Sequence, residues 1–121
     1  MIKVQPYLNF EPALGMRLGE ILGEDACKFE GYSFCHRDTG LVLPVRPIPG
    51  DRIIVVEGAL HVQGRLDGFI DLAGVVKEVA FVRRNGVIEI KVEMELENQD
   101  LLTSDKHRLE IYEMLVSDGW H

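Results

Sequence analysis

The decapeptide GYSFCHRDTG, residues 31–40, gathers Tyr32, Ser33, Cys35, His36, Arg37 and Asp38, the densest run of reactive side chains in the sequence. Side chains alternate on extended backbone, so His36 and Asp38 share a face, while Cys35 points away from both. An imidazole steered by a carboxylate is an acid–base pair. His36 and Asp38 are therefore the first catalytic candidates. Cys35 is the nucleophile candidate, served by a histidine from elsewhere such as His61, because its neighbour His36 faces the wrong way. A plainer reading of the same window is a strand end followed by an Asp38-Thr39-Gly40 turn, with Asp38 bonding its own backbone.

A second group lies downstream. Glu57 and His61 share one face of an extended run, and at the usual rise they stand about 13 Å apart, able to flank a pocket but not to touch. Tyr32, His61, Glu57 and Arg46 are the substrate-binding candidates. Metal chemistry is not expected: Cys27, Cys35 and His36 form no C-x2-C or H-x3-H pair, and zinc takes three or four ligands. No cofactor is expected either. Trp120 and His121 close the sequence, where fraying is the rule; Trp120 reads as a packing anchor.

These residues need elements to hold them. The opening MIKVQPYLNF alternates and is broken by Pro6, which suits an edge strand. Pro12 begins a short helix whose stripe is Leu14, Leu18, Ile21 and Leu22, with Gly23 as its cap. Pro44, Pro47 and Pro49 stiffen a connector that ends in Gly50-Asp51. The strand RIIVVEGALHV follows, with Ile54, Val56, Leu60 and Val62 on one face, and Gly58 marking a bulge or a close neighbour. QGRLDGFIDLAG is open to a loop, a hairpin or a short helix. Asn85-Gly86 predicts a two-residue hairpin turn, since both positions must accept positive φ. In its second arm Ile88, Ile90, Val92, Met94 and Leu96 alternate with Glu89, Lys91, Glu93, Glu95 and Glu97, a buried row and a wet row. NQDLLTSD reads as a turn. The last run, KHRLEIYEMLV, suits a strand by its alternation and a helix by its composition; the strand is preferred.

The 121 residues form a single domain, 1–121, with 46% hydrophobic and 27% charged residues, a globular balance. A net charge of −7 argues against nucleic acid, whose phosphates need a basic footprint. Local arginines, among them Arg46, Arg52, Arg65, Arg83 and Arg84, still suffice for a small anionic ligand. No apolar segment approaches the ~20 residues of a membrane span and no leader pattern opens the sequence, so a cytoplasmic protein without a membrane partner is expected.

Pro44, Val45, Pro49, Gly50 and Asp51, then Gly74, Val76 and Val79, then Glu97, Asn98, Gln99 and Asp100, resemble the later strands of hot-dog-fold acyl-CoA proteins, nearest to MaoC-like dehydratases and hydratases. The likeness covers residues 44–114. It implies an α+β, β-rich fold, an antiparallel sheet with a short N-terminal helix; a small antiparallel β-barrel is the alternative. It also implies a homodimer or higher oligomer with ligand between subunits. Those hydratases are similar in carrying an Asp five residues before a His. Here Gly31, Val56, Leu102 and Val116 precede the four histidines at that spacing, so that motif does not carry over. The resulting expectation is an enzyme acting on an acyl thioester or related organic acid, by hydration, dehydration or thioester hydrolysis, with His36 as acid–base group and Asp38 as orienter. The alternatives are a non-catalytic binding or scaffolding module and a barrel-type isomerase or cyclase with an apolar lumen.

Overall fold

The structure, a computed structural model, describes residues 1–9, 34–97 and 107–121. The helix expected from Pro12 to Gly23, Cys27, Tyr32 and the turn after Glu97 lie outside the described residues. The described elements are β1 (Ile2–Asn9), β2 (Phe34–His36), β3 (Leu41–Leu43), β4 (Arg52–Val62), β5 (Arg65–Arg84), β6 (Val87–Leu96) and α1 (Arg108–Ser117). One sheet runs β2-β1-β6-β5-β4, with β3 also beside β1. The protein is thus β-rich, but the sheet is mixed: β1 lies parallel to β6, with Pro6 opposite Val92 and Leu8 opposite Met94. The sheet path ends at β2 and β4 and is not closed into a barrel, so the barrel and lumen expectations find no support in the described strands.

Pro6 does not put β1 at an edge. β1 has neighbours on both sides, pairing with β6 on one and with β2 and β3 on the other. The proline is tolerated because β2 and β3 are one strand interrupted by a bulge. Residues 7–9 pair with 34–36 and residues 2–4 with 41–43, leaving Gln5 and Pro6 opposite the looped-out Arg37–Gly40. Bulges are where a sheet accepts a residue lacking a donor. Gly40, at φ +71, closes that loop by donating its N–H to the Arg37 carbonyl at 2.9 Å.

The β5–β6 hairpin turns on Asn85 (φ +51) and Gly86 (φ +79), as its sequence predicts. The β4–β5 hairpin uses the same geometry at Gln63 (φ +51) and Gly64 (φ +77), which resolves the ambiguous QGRLDGFIDLAG as strand. β5 is 20 residues long and changes partners along its length: residues 65–75 pair with β4, and 74–84 with β6. Two bulges, at Ile54/Val56 and Leu60/His61, shift the faces of β4. Val55 and Leu60 are buried in consequence, whereas Ile54, expected inside, is exposed.

The core is Val4, Leu8 and Cys35 from one end of the sheet, Leu72, Val76, Val92, Met94 and Leu96 from its middle, and Ile111, Tyr112, Leu115 and Trp120 from the C-terminal segment. That segment is a helix, not the preferred strand. Ile111, Tyr112 and Leu115 fall on one helical face, a stripe that strand alternation would split between core and solvent. Gly58 is the close neighbour its sequence suggested: a Cβ there would meet Sδ of Met114, so the glycine lets α1 lie against β4. Among the described residues no helix is long and apolar enough to cross a membrane.

Candidate functional site

α1 ends in a way that builds the site. Gly119 adopts φ +97, the left-handed region that favours glycine. Its N–H donates to the Val116 carbonyl at 3.0 Å, and the Trp120 N–H donates to the Leu115 carbonyl at 3.0 Å. This pair of bonds is the Schellman motif, and Trp120 and Leu115 add its apolar contact in the core. The chain is thereby turned back onto β2. His36 and His121 exchange both backbone hydrogen bonds at 2.9 Å, and Arg37 bridges to Trp120. On its other side His36 is paired with Tyr7 of β1.

Residues directly opposite on antiparallel strands project to the same face. Tyr7, His36 and His121 therefore form a row across three strands. The Tyr7 ring stacks near His36, with centroids 6.0 Å apart and planes 19° apart, and the two imidazole centroids are 4.2 Å apart. Asp38, two residues beyond His36 on the bulge, turns its carboxylate back over the row. Its Oδ1 lies 3.3 Å from His36 Nδ1, and its Oδ2 accepts a 2.9 Å hydrogen bond from His121 Nε2. The side chain of His36 is 18% exposed, that of His121 36% and that of Asp38 72%, so the cluster opens from a covered imidazole to a wet carboxylate.

Arg37 holds the bulge in place. Its Nε donates to the Asp118 carbonyl at 2.7 Å and its Nη1 to the Gly40 carbonyl at 2.7 Å, tying the loop that carries Asp38 to the end of α1. The Trp120 indole N–H donates to the Asp118 carboxylate at 3.1 Å. Lys91 sits over the Tyr7 ring at 4.8 Å, and Arg84 donates to the Tyr7 hydroxyl at 2.7 Å, so positive charge flanks the outer side of the row.

His36 and Asp38 meet as their spacing suggests, and His121 is a partner that the sequence reading left out. Cys35, although adjacent, is a core residue opposite Leu8. Burial pushes its thiol far above the ordinary range, which keeps it neutral and inert; it is no nucleophile in this structure. Arg46 lies over the Phe81 ring at 4.7 Å. Phe81 pairs with Ile90, on the face of β5 and β6 opposite Lys91, so Arg46 does not join the histidine row.

Glu57 and His61 line an open groove of about 510 Å³ between β4 and α1, as two flanking groups. His61 Nδ1 lies 2.8 Å from Glu110 Oε1, and the His61 backbone N–H donates to Oε2 at 3.0 Å. The side-chain bond from His61 is the main reason the Glu110 carboxyl is held below its ordinary value. Glu57, Glu110, Glu113 and Asp118 give the groove four carboxylates against one imidazole, and neither His36 nor Asp38 lines it. The fourth histidine, His107, is buried at the start of α1 with Nε2 2.9 Å from Asp67 Oδ2. Comparison with protein-family models, with curated proteins and with solved structures gives no match.

Proposed function

We propose that the protein is a small acid–base enzyme that hydrates, dehydrates or hydrolyses an acyl thioester or related organic acid through the His36–Asp38–His121 cluster. The observation behind this reading is one carboxylate that faces two imidazoles at 3.3 and 2.9 Å. An ionised Asp38 accepts the N–H that each ring turns toward it, leaving the far nitrogen of His121 as the base, since Nε2 of His36 is buried. His121 is the more exposed ring and exchanges the proton with substrate. Asp38 orients it, and His36, between Tyr7 and His121, holds the array together.

The thioester class is supported by the resemblance of residues 44–114 to hot-dog acyl-CoA proteins, and a homo-oligomer with ligand between subunits belongs to the same proposal. A panel of enoyl- and acyl-thioesters tests it. The expected result is turnover by the native chain that falls about 10²–10⁴-fold in Asp38→Asn and His121→Ala, the usual contribution of general acid–base catalysis. No turnover across the panel, or turnover indifferent to both substitutions, refutes it.

The acidic groove favours a second reading, a non-catalytic binding module for a cationic ligand. Calorimetry with spermidine tests this reading. Binding should weaken with added salt and in Glu57→Gln and Glu113→Gln, and salt-independent binding or none counts against it.

A further inference from the structure

We infer that His36, Asp38 and His121 form a binding site for a single divalent transition-metal ion of the zinc class. One donor atom from each residue lies within 4.8 Å of the other two. A metal held at about 2.1 Å by imidazole nitrogen and carboxylate oxygen places neighbouring donors about 3.0–3.4 Å apart, for angles between octahedral and tetrahedral. The two imidazole–carboxylate separations, 3.3 Å from His36 to Oδ1 and 2.9 Å from His121 to Oδ2, lie close to that spacing, one imidazole at each carboxylate oxygen, and a small turn of the exposed carboxylate brings a single oxygen to both. Only the gap between the two imidazole nitrogens has to close, and the rings rotate about bonds that leave the strand pairing intact.

The chemistry of the set selects the ion. Two imidazoles and one carboxylate suit zinc, cobalt, nickel, copper or ferrous iron, whereas magnesium and calcium want all-oxygen shells. The set is also held in advance. His36 and His121 are fixed by reciprocal backbone bonds, His36 is stacked on Tyr7, and Arg37 pins the Asp38 loop through Gly40 and Asp118. Three protein donors leave at least one coordination position open, on the side where Asp38 and His121 meet solvent.

Acid competes with the ion, because a protonated imidazole has no lone pair to give. The charged and titratable groups around the donors are Tyr7 from β1, Lys91 and Arg84 near its ring and hydroxyl, Arg37 on the bulge, and Asp38 itself. Among the described residues Glu93, Glu89 and Asp118 in turn pair with Lys91, Arg84 and Arg37, so Asp38 is the carboxylate that faces the donors directly. The ion would take the ring nitrogens that donate to Asp38 in the metal-free cluster, so it replaces the acid–base arrangement, and its binding is measured without turnover.

The test uses the full chain without a histidine tag, stripped with chelator and titrated with Co²⁺ by visible absorption and with Zn²⁺ by calorimetry. One equivalent should bind near neutral pH, with cobalt d–d bands of a low-coordinate site. Losing even an outer-shell partner of a metal typically costs 10–100-fold in affinity, so His121→Ala and Asp38→Asn should each lose at least about tenfold. His121→Ala removes a more exposed ring than His36→Ala does, so it retains the fold if His36→Ala does not. His61→Ala should leave affinity unchanged. Absence of stoichiometric binding, affinity untouched by both variants, or binding abolished by His61→Ala would overturn the assignment.

Discussion

Replacing Gly119 with alanine isolates what the turn after α1 is worth. A Cβ at this position would find its nearest neighbours at 3.7 and 3.9 Å, Nε and Cγ of Arg37, both ordinary contacts. The substitution therefore adds no clash, and its cost comes from the backbone alone. At φ +97 an alanine pays the left-handed penalty of about 1–2 kcal/mol. Asparagine tolerates that region better, so Gly119→Asn should cost less than Gly119→Ala. With a urea slope of roughly 1–3 kcal/mol per molar for a small protein, the alanine variant should unfold at about 0.3–2 M less urea, with an unchanged slope. A local readout accompanies the global one: the His121 ring resonances should lose their dependence on Asp38 as the last two residues leave β2. An alanine variant as stable as the native chain, or an asparagine variant no better than the alanine one, would show that the turn does not set the position of His121.

Three further outcomes follow from the packing and the charges. Gly74→Ala would bring a Cβ to 2.9 Å from Cβ of Met94, an atom that cannot swing away, and should cost about 1–3 kcal/mol in urea unfolding. Glu110 is held below its ordinary value of 4.5, so its contribution to stability is present above that pH and lost as pH falls through the lower folded value. Glu110→Gln should flatten that acid limb, seen in unfolding midpoints collected between about pH 5 and pH 3. With Cys27 replaced by serine, Cys35 should resist alkylation in the native protein and react on unfolding, because its thiol is buried and its pKa raised.

Local signals in the sequence carried the hairpins. Arg52–Val62 is legible end to end, Asn85-Gly86 names its turn type, and the alternation of Val92, Met94 and Leu96 with acidic residues marks one buried face. The opposed faces of Cys35 and His36 follow from alternation alone. What failed was whatever depended on distant partners. Pro6 suggests an edge only until a bulge thirty residues later removes the need for its donor. Gln63 is an uncommon residue for a left-handed turn position, so the β4–β5 turn was hidden. Leu109, Ile111 and Leu115 alternate as a strand would, although Leu109 is exposed and Tyr112 completes the helical stripe, and Gly58, which makes room for a helix, lies on another strand. Beside Trp120, His121 reads as a fraying end, although Gly119-Trp120 after a helical run is the signature of a reversal that returns the chain. No spacing rule relates position 36 to position 121.

The partner exchange along β5 has a kinetic meaning. Its two ladders overlap only at Gly74 and Val75, so each hairpin can zip from its own tight turn without waiting for the other. The pairing of β1 with β6 and the seating of residues 120–121 on β2 instead close loops of more than eighty residues, and such closures come late because chain entropy opposes them until other contacts exist. The histidine–aspartate group is therefore the keystone of assembly. It is completed after the β4–β5–β6 scaffold stands.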